Sequence, residues 1–376
     1  MGIVGAFDVH RKQLTFDYVD TDSGRVVRGQ LAPADRPRLA AWLAERFGDV
    51  DDVTFTVEAC TGWWYVADEL RRAGVKVLLA EPADMAAVRG RRSHAKTDRT
   101  DARLMREAAQ DGRIPQVYIP PQHVLECRAL LSTYNDLRRT HTAYVQRLQA
   151  LLFHHGAPVV GGGGVSAQAG RQSAAGTAAV YLTATARLQF DVNSNLLDAI
   201  EVQLYEVRRE LRRRARRLQG ARLLQQTIYG VGPVTALAMV CWLGGSNRFS
   251  SSRKAVRYAG LDITVYSSDG KRSPGHLSRQ GPAVLRWCLY EAGKLAARQS
   301  APDHAYYAQV KERINGKRAA LSQARRIVRY ACHLLTDLGD EAFTVTEHTS
   351  PARSTARRTP RARTAPPEHA REDAAA

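Results

Sequence analysis

Residues 2–10, Gly-Ile-Val-Gly-Ala-Phe-Asp-Val-His, decide how the first third of the chain is read. Residues 3–9 are apolar except for one acid near their end, Asp8. A short run rich in β-branched and aromatic residues fits a buried strand. A carboxylate in such a run must be exposed, paired or bound to a cation, because burying a lone charge is costly. Outward from it, Leu14, Phe16 and Tyr18 alternate with polar residues, as in a half-buried strand. Asp22-Ser23-Gly24 forms a turn, and 25–30 is expected to return antiparallel to the second strand. Leu39, Trp42, Leu43 and Phe47 have helical spacing over 36–47. A second acid, Glu58, closes the strand-like run 53–58 just before the small residues of Ala-Cys-Thr-Gly. A helix over 62–73, a strand over 75–80 and a helix starting at Pro82 follow. Hairpin-like strands followed by alternating helix and strand predict an α/β domain, a mixed sheet with helices on its faces. An RNase H-type fold has this order, as do other folds.

Two further acids lie in His94-Ala-Lys-Thr-Asp-Arg-Thr-Asp-Ala102. Asp98 and Asp101, three positions apart, share a face if a helix begins here. Arg91, Arg92, Lys96, Arg99 and Arg103 surround them. Taken singly, Asp98 reads as an N-cap and Asp101 as an early-helix acid that suits the dipole. Taken with Asp8 and Glu58, they form a set of hard oxygen donors that suits Mg²⁺ or Mn²⁺ and metal-assisted phosphoryl transfer.

The 376 residues carry 55 Lys+Arg against 37 Asp+Glu, a net charge of +18, which points to a polyanion partner. Hydrophobic residues make up 44%, enough for ordinary cores in two or three domains. With no apolar run of about 18 residues and no secretory pattern at the start, a cytoplasmic protein with no membrane association is expected. Cys60, Cys127, Cys241, Cys288 and Cys332 are scattered, with no CxxC or Cys/His cluster, which argues against a zinc site or a disulfide framework.

Two heptad runs occupy the middle: Leu130, Tyr134, Leu137, His141, Tyr144, Leu148 and Leu151, then Leu197, Ile200, Leu204, Val207, Leu211 and Leu218. They predict two antiparallel coiled-coil helices over 126–225, joined by a flexible Gly/Ala-rich connector at 156–190. The second helix carries a dense arginine run that includes Arg208, Arg212 and Arg213, read either as a solvated flank or as a phosphate-contacting face. From 226 to 345 a second, mostly helical domain is expected. Its segment 227–240 has a Gly-x-Gly turn before an apolar helix, resembling a helix-hairpin-helix motif for DNA backbones. A polar, basic stretch at 261–281 precedes a helix over 282–297, and another helix is expected at about 318–338. The Pro-, Thr-, Ala- and Arg-rich residues 346–376 read as a disordered basic tail.

These motifs carry a family resemblance. FDVHRK, VEACTGWW and AKTDRTDA resemble the N-terminal DEDD domain of the IS one-ten family of insertion-sequence transposases, the bridge-RNA-guided recombinases. GVGPVTALAMV, RFSSSRKAVRYAGL and VYSSDGKRSPGHLSRQGPAVLRWCLYEA resemble, in order, the family's second transposase domain, and together the matches span residues 1–340. The resemblance implies a RuvC-like domain over 1–125 with Asp8, Glu58, Asp98 and Asp101 as a metal-binding tetrad. It also implies a serine nucleophile in the second domain, which falls on Ser268 within Ser267-Ser268-Asp269-Gly270, where the family pattern has Gln-Ser-Gly. Ser267 is the one-residue alternative. Lys271, Arg272, Arg279 and Arg286 become phosphate-contacting candidates around it.

The implied activity is site-specific recombination: cleavage and rejoining of DNA at element ends and target through a covalent phosphoserine. The implied partners are double-stranded DNA and a noncoding guide RNA. Dimers or tetramers are expected from the heptads and from the need to hold two duplexes, and nucleoid association in a bacterial cytoplasm during action. The alternatives are a hydrolytic RuvC-like structure-specific endonuclease using the acids alone, and an inactive nucleic-acid-binding relative.

Overall fold

The residue pattern around Asp8 places one strand in the middle of a five-stranded sheet. The computed structural model describes residues 2–48, 50–88, 97–160, 164–245, 248–264, 266–268, 271–273 and 275–346, with backbone only for 266–268 and 271–273. Contacts divide the described residues into two compact units, one ending at Pro121 and the other beginning at Gln122.

In the first unit β1 (Gly2–Val9), β2 (Leu14–Asp20) and β3 (Val26–Leu31) precede α1 (Arg36–Phe47). Then come β4 (Asp52–Glu58), α2 (Trp63–Arg72), β5 (Lys76–Ala80), α3 (Pro82–Val88) and α4 (Asp98–Gln110). The sheet order is β3-β2-β1-β4-β5, and each element expected between residues 3 and 88 is present. β1 is antiparallel to β2 and parallel to β4, while β2 and β3 are antiparallel and β4 and β5 parallel. The protein is thus mixed α/β with mostly helical content.

The period of two along a strand sends alternate side chains to opposite faces. Phe7, Phe16, Tyr18 and Phe55 enter an aromatic core with Trp42 and Phe47 of α1, where Phe7 stacks on Phe55 at 4.8 Å between centroids. The alternate positions form the other face, where Ala6, Ala80, Met85, Met105 and Ala108 make a thinner core. The small Ala6 lets α4 lie close to β1, and α4 also packs on β2. On that face Asp17 is 1% exposed, and its Oδ1 accepts from Arg106 Nε of α4 at 2.6 Å. Its Oδ2 accepts from Arg28 Nε at 2.6 Å.

The second unit begins with α5 (Gln122–His154), α6 (Gln168–Tyr181) and α7 (Ala184–Arg217). Pairs between α5 and α7 run in opposite directions: Glu126 with Arg214, Tyr134 with Arg208 and His141 with Glu201. The two helices are therefore antiparallel. The stretch 156–190 differs from a flexible connector, since α6 and the first turns of α7 occupy most of it. Its alanines explain why: Ala174 and Ala178 bury against Leu148, Leu152, Leu182 and Phe190, where small side chains allow close helix contact. Arg171 of α6 is 2% exposed and is held by Glu201 at 2.9 Å and by Asp198.

The remainder is helical: α8 (Gln219–Thr227), α9 (Pro233–Leu243), α10 (Ser252–Tyr258), α11 (Ala283–Lys294), α12 (His304–Arg313) and α13 (Gly316–Leu338). A short ribbon, β6 (Tyr266–Ser268) and β7 (Lys271–Ser273), lies between α10 and α11. α9 is buried from Ala236 to Leu243, and Arg128 Nε of α5 donates to its Cys241 carbonyl at 2.8 Å. All five cysteines are free, and four are buried. Residues 347–376, the expected tail, lie outside the described residues.

Arg106→Met should destabilise the first unit by about 3 kcal/mol in urea unfolding, because it leaves a buried carboxylate with only the half-exposed Arg28. The double variant Asp17→Leu/Arg106→Leu should recover most of that loss.

Candidate active site

Asp8 and Glu58 reach the same end of the sheet because β1 and β4 are parallel neighbours. Their last paired residues are Phe7 and Val57, one step before each acid. Phe7 and Val57 bury in the aromatic core, so alternation turns Asp8 and Glu58 to the opposite face, the one that α4 covers. At α4's start Thr97, in extended backbone, accepts from Thr100 N at 3.2 Å through its hydroxyl. Thr97, not Asp98, is therefore the N-cap, which leaves Asp98 and Asp101 in the first turn of the helix. Gly62, at φ 100° between β4 and α2, makes the tight entry into α2 beside them.

The result is a cavity of about 750 Å³ whose walls include Asp8, Glu58, Asp98 and Asp101, with His10, Arg11, Cys60 and Tyr65. His10 Nε2 lies 3.1 Å from Asp8 Oδ2 and 3.2 Å from Asp98 Oδ1, so one ring nitrogen spans two of the acids. Gln13 Nε2 donates to Asp98 Oδ2 at 3.4 Å. Ligand atoms of Asp8, His10 and Asp98 all lie within 4.8 Å of one another, a spacing that could hold a metal ion. Burial raises the Asp8 pKa; His10 opposes the rise, and the charges of Asp98 and Asp101 add to it. Repulsion among the carboxylates therefore favours a proton or a cation between them. Burial, and then Glu58 and Asp8, push the Cys60 thiol upward, and its Sγ points to the Val9 carbonyl at 3.8 Å. A thiol held in its neutral form is a poor nucleophile, so Cys60 is a wall of the cavity.

Sequence reasoning passed over His10, although the signal was there: two residues beyond Asp8, it follows the strand's alternation to the same side. The basic surroundings are only partly described. Arg91, Arg92 and Lys96 lie outside the described residues, Arg103 is tied to Glu107 at 2.8 Å, Arg99 is exposed and Arg11 lines the cavity.

Ser267 and Ser268 belong to the second unit. β6 pairs antiparallel with β7, with Ser268 opposite Lys271 and Ser267 opposite Arg272; the side chains of these four lie outside the described set, as do Asp269 and Gly270. The base of the ribbon is braced by Thr264 N donating to His276 O at 2.8 Å and by Ser278 Oγ donating to Asp262. Arg279 is exposed at φ 53°, and its carbonyl accepts from Arg286 Nη1 at 3.2 Å. On α7, Arg208 Nη2 donates to the Tyr134 hydroxyl at 3.1 Å and Arg212 is exposed. Arg213 grips Glu210 with bonds of 2.6 and 2.7 Å. Arg213, together with Arg214, holds the Glu210 carboxyl down to about 2, so the Arg213 charge is partly spent within the helix.

A family model described as a transposase, of the DEDD type, matches residues 5–155, and one described as the transposase IS116/IS110/IS902 family matches 221–308. The chain belongs to the IS110 family of transposases. The first match contains Asp8, Glu58, Asp98 and Asp101, and the second contains the β6–β7 ribbon. A protein of Pseudomonas aeruginosa named a probable family 20 transposase is 24% identical over 286 residues, covering 74% of this chain and 80% of the relative. As a transposase, the protein binds DNA and cuts and rejoins it. Among the described residues no helix is long and apolar enough to cross a membrane.

The cavity should bind a divalent cation measurably. At a Mn²⁺ concentration of about 100 times Kd, thermal unfolding of the wild type should shift upward by the equivalent of about 2.7 kcal/mol. Asp8→Asn and Asp98→Asn should each remove that shift, and a chelator should reverse it in the wild type.

Proposed function

We propose that this transposase is a metal-assisted, serine-dependent DNA strand transferase. The convergence of Asp8, Glu58, Asp98 and Asp101 on one cavity carries the reading, because neighbouring carboxylates of this number are stabilised by cations rather than by each other. We read the first unit as RuvC-like, of the RNase H type. The strand order, with three antiparallel strands followed by two parallel ones, supports this. α5 and α7 are read as the antiparallel coiled coil of a dimer or tetramer.

The donor set fits Mg²⁺ or Mn²⁺, since all four acids offer hard oxygens and no thiolate competes. When bound, such ions supply charge stabilisation at the scissile phosphate. The chain's own residues do the rest. Asp98 and Asp101 ride on the helix start that Thr97 caps, so they are presented together. Gln13 orients Asp98 through its carboxylate, and His10 spans Asp8 and Asp98. Ser268 is the proposed nucleophile: its Oγ bonds to phosphorus, the phosphorus–oxygen bond to one side of the strand breaks, and the departing oxygen takes a proton. The phosphodiester energy is conserved in the serine–DNA link, so a free hydroxyl of another strand can displace the serine without an external energy source. Lys271, Arg272, Arg279 and Arg286 on this segment, and Arg208, Arg212 and Arg213 on α7, are proposed phosphate contacts. A noncoding guide RNA that pairs with element ends and target is part of the same reading, and the net charge of +18 is compatible with it.

Incubated with element-end DNA and Mg²⁺ and then denatured, the wild type should yield a covalent protein–DNA adduct. Ser268→Ala should lose both adduct and strand transfer, and Asp8→Asn should lower cleavage by at least about 100-fold. Cleavage that persists in Ser268→Ala without an adduct would instead assign a hydrolytic endonuclease. Loss in Ser267→Ala alone would move the nucleophile by one residue.

A further inference from the structure

A second cavity, of about 330 Å³, is lined only by residues of the second unit, and none of the acids or serines of the proposed chemistry lines it. Its volume is near the lower bound of small-ligand sites, roughly 300 Å³. Tyr229, at the Gly-x-Gly turn between α8 and α9, and Tyr330, on α13, both line it and are 42% and 48% exposed. Half-exposed rings on a cavity wall are unusual for side chains that merely fill a core. Gly230, at φ 80° and with Ala292 O only 3.2 Å from where a Cβ would be, lets the turn lie on α11, so Tyr229 is placed by rigid backbone. The side chains of Ser300 and then Arg298 lower the Tyr229 hydroxyl's pKa from its ordinary value.

Apolar side chains, among them Ile228, Ala296 and Ile327, make up much of the remaining wall, and one side of it carries a polar cluster that is already ordered. Arg326 lies 4.4 Å over the Tyr306 ring and pairs with Asp303 at 3.0 Å. Gln323, 5% exposed, donates its amide nitrogen to the other Asp303 oxygen. A carboxylate only accepts, so this fixes the amide's orientation and leaves Gln323 Oε1 buried with no partner among the described residues. The cavity therefore combines two half-exposed tyrosines and an apolar lining with a cluster of carboxylate, amide and guanidinium. Asp303 disfavours a phosphate inside it, whereas an aromatic heterocycle bearing N–H groups satisfies the acceptors and stacks on the rings.

We propose that this cavity receives an unpaired nucleobase with an N–H edge, extruded from a single strand. Tyr229 and Tyr330 supply the stacking surface, and Asp303, Gln323 and Arg326 read the edge. The site goes beyond the strand-transfer reading, because it recognises single-stranded nucleic acid without any chemistry.

Binding is tested on the full chain in chelator, so failure of the metal and serine chemistry leaves the result untouched. Fluorescence anisotropy is followed with a single-stranded oligonucleotide of about 12 nucleotides, as DNA and as RNA, and with a duplex of the same sequence. Tyr229→Ala and Tyr330→Ala should each weaken single-strand binding on the order of tenfold, while Tyr229→Phe, Tyr330→Phe and duplex binding stay near wild type. Loss confined to the DNA or to the RNA arm supports the site and names its source. Unchanged single-strand affinity in folded alanine variants, or equal losses on duplex, overturns it. Should the alanine variants fail to fold, photo-crosslinking of a 5-iodouracil-substituted strand to the wild type decides: an adduct on Tyr229 or Tyr330 supports the site, and its absence from both overturns it.

Discussion

The buried ion pair between Asp17 of β2 and Arg106 of α4 is the contact on which the first unit's chemistry depends. It joins residues 89 positions apart, at 2.6 Å, on a face where both partners are nearly excluded from solvent. Such a pair contributes little net stability against an apolar alternative, but it tolerates little error in position. An Arg106 shifted by one residue along α4 would leave Asp17 relying on Arg28 alone. The pair thereby sets how α4 lies across the sheet, and the helix start follows from that. The small side chain of Ala6 sets the separation, and the pair sets the register. Asp98 and Asp101 then arrive at the strand ends that already carry Asp8 and Glu58.

Bringing carboxylates together opposes folding, and the structure shows how the cost is contained. Asp8 is the most buried of the acids that crowd His10, and burial and its neighbours raise its proton affinity. One imidazole nitrogen spans Asp8 and Asp98, and an amide holds the other Asp98 oxygen. The α4 start contributes the positive end of its dipole to both of its acids. A cation would relieve the same repulsion more fully, which is why the donor set is read as a metal site in a transposase of the IS110 family.

In the second unit, packing of small residues achieves what a long apolar stripe does elsewhere. Ala174 and Ala178 close α6 on α5 and α7, and the alanines of α13 bury beside α9, α10 and α11. Composition misleads at this point. A Gly/Ala-rich stretch reads as a flexible connector because no bulky residue marks a face, yet Ala is the best helix former and packs closely once a partner surface exists. Arg171 shows the same limit, since a lone arginine in such a stretch gives no sign of the acids, Asp198 and Glu201, that bury it.

Local pattern alone determined the strands and helices of residues 3–88, the two long helices and the α9 and α13 segments, because periodicity is written in neighbouring residues. It also singled out Asp8, Glu58, Asp98 and Asp101, since acids at the ends of apolar strands and at a helix start stand out without any fold. Only the tertiary structure decided that the four share one cavity, that Thr97 caps α4 in place of Asp98, and that His10 sits between two of the acids. It alone decided that Glu210 draws off part of the Arg213 charge, and that Tyr229 and Tyr330, 101 positions apart, line a common cavity. These are relations between distant segments, fixed by strand order, helix docking and burial, and no window of neighbouring residues contains them.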